Sequence, residues 1–207
     1  MTRRLITSEG EEALRRLNAL SAFYSSSAVS QETEGPPRLN SVTSVSTDQR
    51  TLQETVIVRC VTVVEAYMTD LGKRLVNDRL EGVPADDTAL VSLAGHLRDS
   101  RLVGLDQGKW DGLVTLWSEG LGVPVRESYP GYSSLVALRT TRHAIAHRYG
   151  EITQLYRKQH LQRLVKEGFR DPLAAEGPVP LSDYDVRDAL SLTVGAIRWF
   201  EQALVAA

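Results

Sequence analysis

A chain of 207 residues, 42% hydrophobic and 24% charged, has the composition of one large folded domain or two small ones, which excludes wholesale disorder. No apolar run approaches the roughly 18 residues of a membrane-spanning helix, and the single cysteine, Cys60, excludes an intrachain disulfide and a cysteine-rich zinc site. The net charge of −2 hides an asymmetry: Arg126 to Arg170 carries nine Arg or Lys against three Glu, so the remainder is acidic. One positive region of this kind suits a polyanionic ligand, a solvated helix face or the acidic patch of a partner subunit.

The opening MTRRLITSEGEEALRR places charge where a secretory signal needs its apolar core, so a cytoplasmic location is expected. Leu14, Leu17, Leu20, Phe23 and Tyr24 predict a first helix over residues 8 to 24. A Ser-rich connection broken by Gly35-Pro36-Pro37 follows, residues 25 to 46, longer than most links inside compact domains. Residues 1 to 47 thus read as an N-terminal helix and Ser/Pro-rich connector, and 48 to 207 as the main helical domain.

From Asp48 to Asp78, Leu52, Val56, Cys60, Val64, Tyr67 and Leu71 recur at spacings of three and four and draw one apolar stripe. The stretch is rich in β-branched residues, yet it runs without Gly or Pro until Gly72, so a helix is expected. Further helices are predicted over Thr88 to Arg101, Gln107 to Gly120, Tyr132 to Tyr149 and Glu151 to Glu167. Residues 171 to 181 read as a loop. Ser182 followed by Asp185 resembles a capping box that opens a last helix with the stripe Val186, Leu190, Thr193, Val194, Ile197, Leu204. With no alternating strands, no repeat and no glycine-rich phosphate loop, the expectation is an all-α bundle of six or seven helices.

One segment concentrates reactive side chains. ALRTTRHAIAHRYG, residues 137 to 150, holds Arg139, Arg142, His143, His147 and Arg148, and with them half of the chain's four histidines. On a helix Arg139, His143 and His147 fall on one stripe, whereas Arg142 and His147 lie about 140° apart. Two histidines at i and i+4 have the spacing of zinc ligands, but HAIAH lacks a metalloprotease glutamate and its flanking arginines repel a dication. Histidines near a helix end also serve its free carbonyls. The third chemistry is acid–base work on a phosphodiester: imidazole exchanges protons near neutrality, and guanidinium holds two phosphate oxygens. RNA carries its own nucleophile, the 2′-hydroxyl, so no metal or cofactor is required.

Arg142-His143-Ala144-Ile145-Ala146-His147 resembles the signature of HEPN-domain ribonucleases, an Arg, a polar residue, three more residues and a His. VEAYMTDL (Val64 to Leu71) and WDGLVTLWSEGLG (Trp110 to Gly122) precede it in an all-α setting similar to that family, and the resemblance spans residues 48 to 205. It implies a homodimer with the motif helices at the interface, and metal-independent RNA cleavage leaving a 2′,3′-cyclic phosphate and a 5′-hydroxyl. By position, Arg142 would bind the scissile phosphate, His147 would move protons and His143 would fill the variable polar slot. Arg139 and Arg148 stand outside the motif and are candidates for backbone binding by charge; Glu65 or Asp70 would orient Arg142.

In-line transfer needs a base and an acid on opposite sides of phosphorus, which one His147 from each protomer would supply. A toxin or antiviral defence role, with an antitoxin or a sensor protein as further partner, follows from the resemblance alone. The competing readings are a non-catalytic nucleotide- or protein-binding module of the same fold and a scaffolding α-bundle. Trp110, Trp117 and Trp199 are expected in the core or an interface, and Cys60 buried. Arg157, Lys158, Arg163 and Lys166 could track an RNA backbone.

Overall fold

Helical spacing is realised throughout the residues that the computed structural model describes, 6–32, 47–81, 110–147, 179 and 181–206. They form α1 (Ser8–Glu32), α2 (Thr47–Glu81), α3 (Trp110–Thr115) running into a π-helical turn (Leu116–Gly120), α4 (Val125–Ser128), α5 (Tyr132–His147) and α6 (Asp183–Ala206). No strand occurs among the described residues, and no helix among them is long and apolar enough to cross a membrane. The helices expected over 88–101 and 151–167 lie outside the described residues, as does most of the loop 171–181.

Three local departures from expectation have physical causes. Helix α1 continues to Glu32 through a serine-rich stretch taken as connector; no Gly or Pro intervenes before Gly35, and the Ser26 hydroxyl bonds back to the Phe23 carbonyl at 2.9 Å. Phe23, assigned to the apolar stripe, is 53% exposed, because Ala13, Leu17 and Tyr24 define the buried line and Phe23 stands about 100° from Tyr24. The helix expected to reach Gly120 widens into a π turn, its Leu116 carbonyl accepting the Leu121 N–H at 3.0 Å. That turn keeps Leu116, Trp117 and Leu121 all buried before Gly122, at φ +77°, reverses the chain.

The chain divides into two compact units, each assembled from separate stretches. The first comprises Met1–Ala13, Val63–Tyr132 and Ala196–Ala207. Its centre is aromatic: Trp117 lies 4.7 Å from Phe200 by ring centroids, and Trp199 meets Phe200 edge-on at 5.2 Å. The Trp117 indole donates to the Met68 carbonyl at 3.0 Å, and Gly72 makes room for it, since a Cβ there would stand 2.9 Å from a Leu116 methyl.

Beside the aromatic cluster sits a buried carboxylate. Glu201 accepts from the Thr7 N–H at 2.9 Å, the Thr7 hydroxyl at 2.5 Å and the Tyr67 hydroxyl at 2.9 Å. Burial and the facing Glu201 push the Tyr67 hydroxyl well above the usual phenol range. Thr7 also caps α1, its hydroxyl accepting the Gly10 N–H at 3.1 Å. Arg74 holds Glu9 in the first turn through two nitrogens, at 2.6 and 3.0 Å, and lowers that carboxyl's pKa.

The second unit comprises Leu14–Thr62 and Ser133–Gly195. Leu17, Val56, Cys60, Leu135, Val186 and Ala189 are buried in it. Burial pushes the Cys60 thiol up to about 12, which makes it an inert core group. At its polar centre, Asp183 accepts from the Tyr24 hydroxyl at 2.5 Å and the Gln53 amide at 2.9 Å, with Gln49 at 3.4 Å. The expected capping box is present: Asp185 accepts the Ser182 N–H at 2.8 Å, and the Asp185 N–H points back at the Ser182 hydroxyl at 3.3 Å.

Candidate functional site

The reactive segment lies on α5, in the second unit. The helix starts after a tight Tyr129-Pro130-Gly131 turn, in which the Tyr132 N–H bonds the Tyr129 carbonyl at 3.0 Å and a Cβ on Gly131 would clash with the Tyr129 hydroxyl. Leu135, Ala137, Thr141 and Ala144 face the interior. Thr140 and Thr141, also buried, satisfy their hydroxyls on the Val136 and Ala137 carbonyls one turn back, at 3.0 and 3.1 Å. One side of α5 is thereby committed to packing, and the residues between are left toward solvent.

Those residues include the predicted ones. Arg139 and Arg142 are half-buried and His143 is exposed. His147 is the last described residue of α5, one turn beyond His143. Arg148 and the basic stretch 157–166 lie outside the described residues. The backbone thus sets Arg139, His143 and His147 at successive turns of one stripe, with Arg142 adjoining it. Glu65 is half-buried and Asp70 exposed on the part of α2 that belongs to the first unit, so the orienting role expected of them rests on the sequence.

Arg142 has an unusual environment. Its Nε is buried and meets no hydrogen-bond acceptor among the described residues. Other arginines of the chain are tied to acids, Arg50 to Glu54, Arg74 to Glu9 and Arg126 to Asp111. A buried N–H without a partner costs about 1–3 kcal/mol, so folding gains nothing from the donor at this place. A guanidinium whose inner edge is shut in while the side chain still reaches solvent is pre-oriented, and an anion that meets it does not have to order it first. Chemically, the segment can hold an oxyanion and exchange protons beside it.

Sequence reasoning missed the buried Glu201 and the Asp183 cluster. Glu201 had a signal: it falls four residues after Ile197 on the apolar stripe of α6, where a charge must find partners. Glu201 accepts from protein donors through both oxygens and Asp183 through Oδ1, and both serve the fold. Among the described residues no group of three or more His, Cys, Asp or Glu is placed to hold a metal ion. No protein-family model matches the chain, and no curated protein or solved structure matches it.

Proposed function

We propose that the chain is a HEPN-like, metal-independent endoribonuclease. In this reading Arg142 holds the scissile phosphate, His147 transfers protons, His143 occupies the polar slot of the motif, and Arg139 and Arg148 bind the neighbouring backbone. The 2′-hydroxyl attacks phosphorus and leaves a 2′,3′-cyclic phosphate and a 5′-hydroxyl. The protein works as a cytoplasmic homodimer with the motif helices at the interface, in toxin or antiviral defence, under the control of an antitoxin or a sensor protein.

The observation that carries this reading is Arg142. Its buried, unpartnered Nε is a cost to the fold, which an apolar side chain of similar length would avoid. The side chain as a whole is only half-buried, and the oxygens of a phosphodiester match guanidinium geometry. The exposed His143 beside it and His147 one turn on add two imidazoles, the side-chain type suited to acid–base work.

The test is incubation of the purified chain with single-stranded and structured RNA in EDTA. Cleavage with cyclic-phosphate ends, abolished in Arg142→Ala and His147→Ala, is the expected result. A folded dimer that binds RNA or nucleotides and never cuts them would replace this reading with the non-catalytic module. Expression toxicity relieved by His147→Ala separates the ribonuclease from a scaffolding bundle.

A further inference from the structure

A guanidinium carries its N–H donors in one plane, and an anion can meet that plane along two kinds of edge. The side edge pairs Nε–H with one terminal nitrogen; the end edge pairs the two terminal nitrogens, Nη1 and Nη2. Arg74 shows the first mode in this chain, gripping Glu9 through Nε at 2.6 Å and Nη2 at 3.0 Å. Arg50 likewise spends its Nε on a carboxylate, that of Glu54 at 2.9 Å. Arg142 differs from both. Its Nε is buried with no acceptor among the described residues, whereas the side chain as a whole is half-buried and neither terminal nitrogen is shut in with it. The side edge is thereby closed, and a ligand that arrives from solvent meets only the end edge.

Resting on the ribonuclease reading, we infer that Arg142 takes the scissile phosphate end-on, Nη1 and Nη2 each donating to one of its two non-bridging oxygens while Nε stays inside the protein. The charge of a phosphodiester lies on those two oxygens, and it grows there as the 2′-oxygen adds to phosphorus, so a two-point grip tightens during attack. In an in-line displacement the entering 2′-oxygen and the leaving 5′-oxygen stand at opposite ends of phosphorus. A fork on the non-bridging oxygens obstructs neither end and leaves both open to proton carriers from either protomer of a shared cleft. One guanidinium serves both oxygens, so the site requires a phosphate with two of them and does not tell one from the other.

Two readouts test this in EDTA, with Arg142→Met checked for unchanged helical content by circular dichroism. In the first, RNAs with sulfur in place of one non-bridging oxygen at the scissile position, as separate Rp and Sp diastereomers, are cut beside the all-oxygen RNA, and rates are referred to alkaline cleavage of the same strands. Sulfur accepts hydrogen bonds weakly. Both diastereomers should therefore slow by about tenfold or more, the range for losing a hydrogen bond to a charged group. The residual cleavage by Arg142→Met shows neither effect, and hybrid dimers of wild type with Arg142→Met keep both. The second readout needs no turnover: proton–nitrogen NMR spectra are titrated with RNA carrying a 2′-deoxyribose at the scissile position. The Arg142 Nε–H signal, assigned by its loss in Arg142→Met, exchanges slowly with solvent before RNA is added and keeps its position afterwards. Slowing of one diastereomer alone or of neither, sulfur effects that persist in Arg142→Met, or hybrids that are inactive or respond to one diastereomer overturn the inference. An Nε–H signal that exchanges freely or moves on binding overturns it likewise. In each of those cases the wild type still cuts all-oxygen RNA, and the ribonuclease reading stands. A wild type that cuts no RNA removes that reading, and this inference with it.

Discussion

Replacing Arg142 by Met separates a functional arginine from a structural one by the sign of the stability change. Methionine keeps an unbranched stem of similar length for the half-buried part of the site and carries no donor. The Nε–H that it removes is buried without an acceptor, a penalty of about 1–3 kcal/mol. Some packing and hydration of the outer guanidinium is lost in exchange, so the net expectation is a gain of about 1 kcal/mol. For a chain of this size that raises Tm by about 2–4 °C. In urea the midpoint moves up with the slope m unchanged, because the same surface is exposed on unfolding. RNA cleavage falls by about 10²–10³-fold, the range for deleting one group that stabilises developing charge. Arg74→Met is the control: it breaks the two-nitrogen grip on Glu9 and loses about 1 kcal/mol. If Arg142→Met instead destabilises by more than 1 kcal/mol, the guanidinium serves the fold, and the argument from its unpaired donor collapses.

The remaining expectations concern the scaffold. Gly195→Ala adds a methyl to a helix where nothing lies within 4 Å of the new Cβ, so the unfolding free energy read from urea titration rises by about 0.5–1 kcal/mol; Gly72→Ala drives a Cβ to 2.9 Å from Leu116 and lowers it by about 1–3 kcal/mol. Equal effects at the two glycines would refute the packing described. Glu201→Ala strands the Thr7 and Tyr67 donors, and chemical denaturation should register a loss of about 3 kcal/mol or more. The Asp183 carboxyl lies below its ordinary value through the Tyr24 and Gln53 hydrogen bonds. Its contribution is therefore complete above the unfolded pKa of about 4 and disappears as pH falls through the lower folded value. Asp183→Asn should flatten the acid limb of a stability–pH curve; an unaltered limb would refute the assignment.

The helical architecture was legible because it is local. Stripes at three- and four-residue spacing mark α2 and α6, and the Ser182–Asp185 cap is written within four residues. What the sequence hid depends on distance. Tyr24 and Asp183 are 159 residues apart, and nothing in either neighbourhood announces the other. Residues 1 to 47, read as an N-terminal helix and connector, stood outside the family resemblance, yet Leu17 is fully buried and Tyr24 meets α6. The π turn at Leu116–Gly120 adds a residue to one turn, which a fixed 3.6 period cannot register. For the site, residue types and spacing on α5 came from sequence. The burial of the Arg142 Nε came only from three-dimensional packing, because it depends on what covers the helix.

The Thr7–Glu201 pair joins groups 194 residues apart in the chain. Until Glu201 has been made, the cap residue of α1 and the Tyr67 hydroxyl have no carboxylate to bind, and the Phe200 ring is missing from the aromatic centre. The first unit is thus closed by Ala196–Ala207. A chain cut before Phe200 leaves the aromatic centre of the first unit open, so that unit folds only once stretches far apart in sequence have come together.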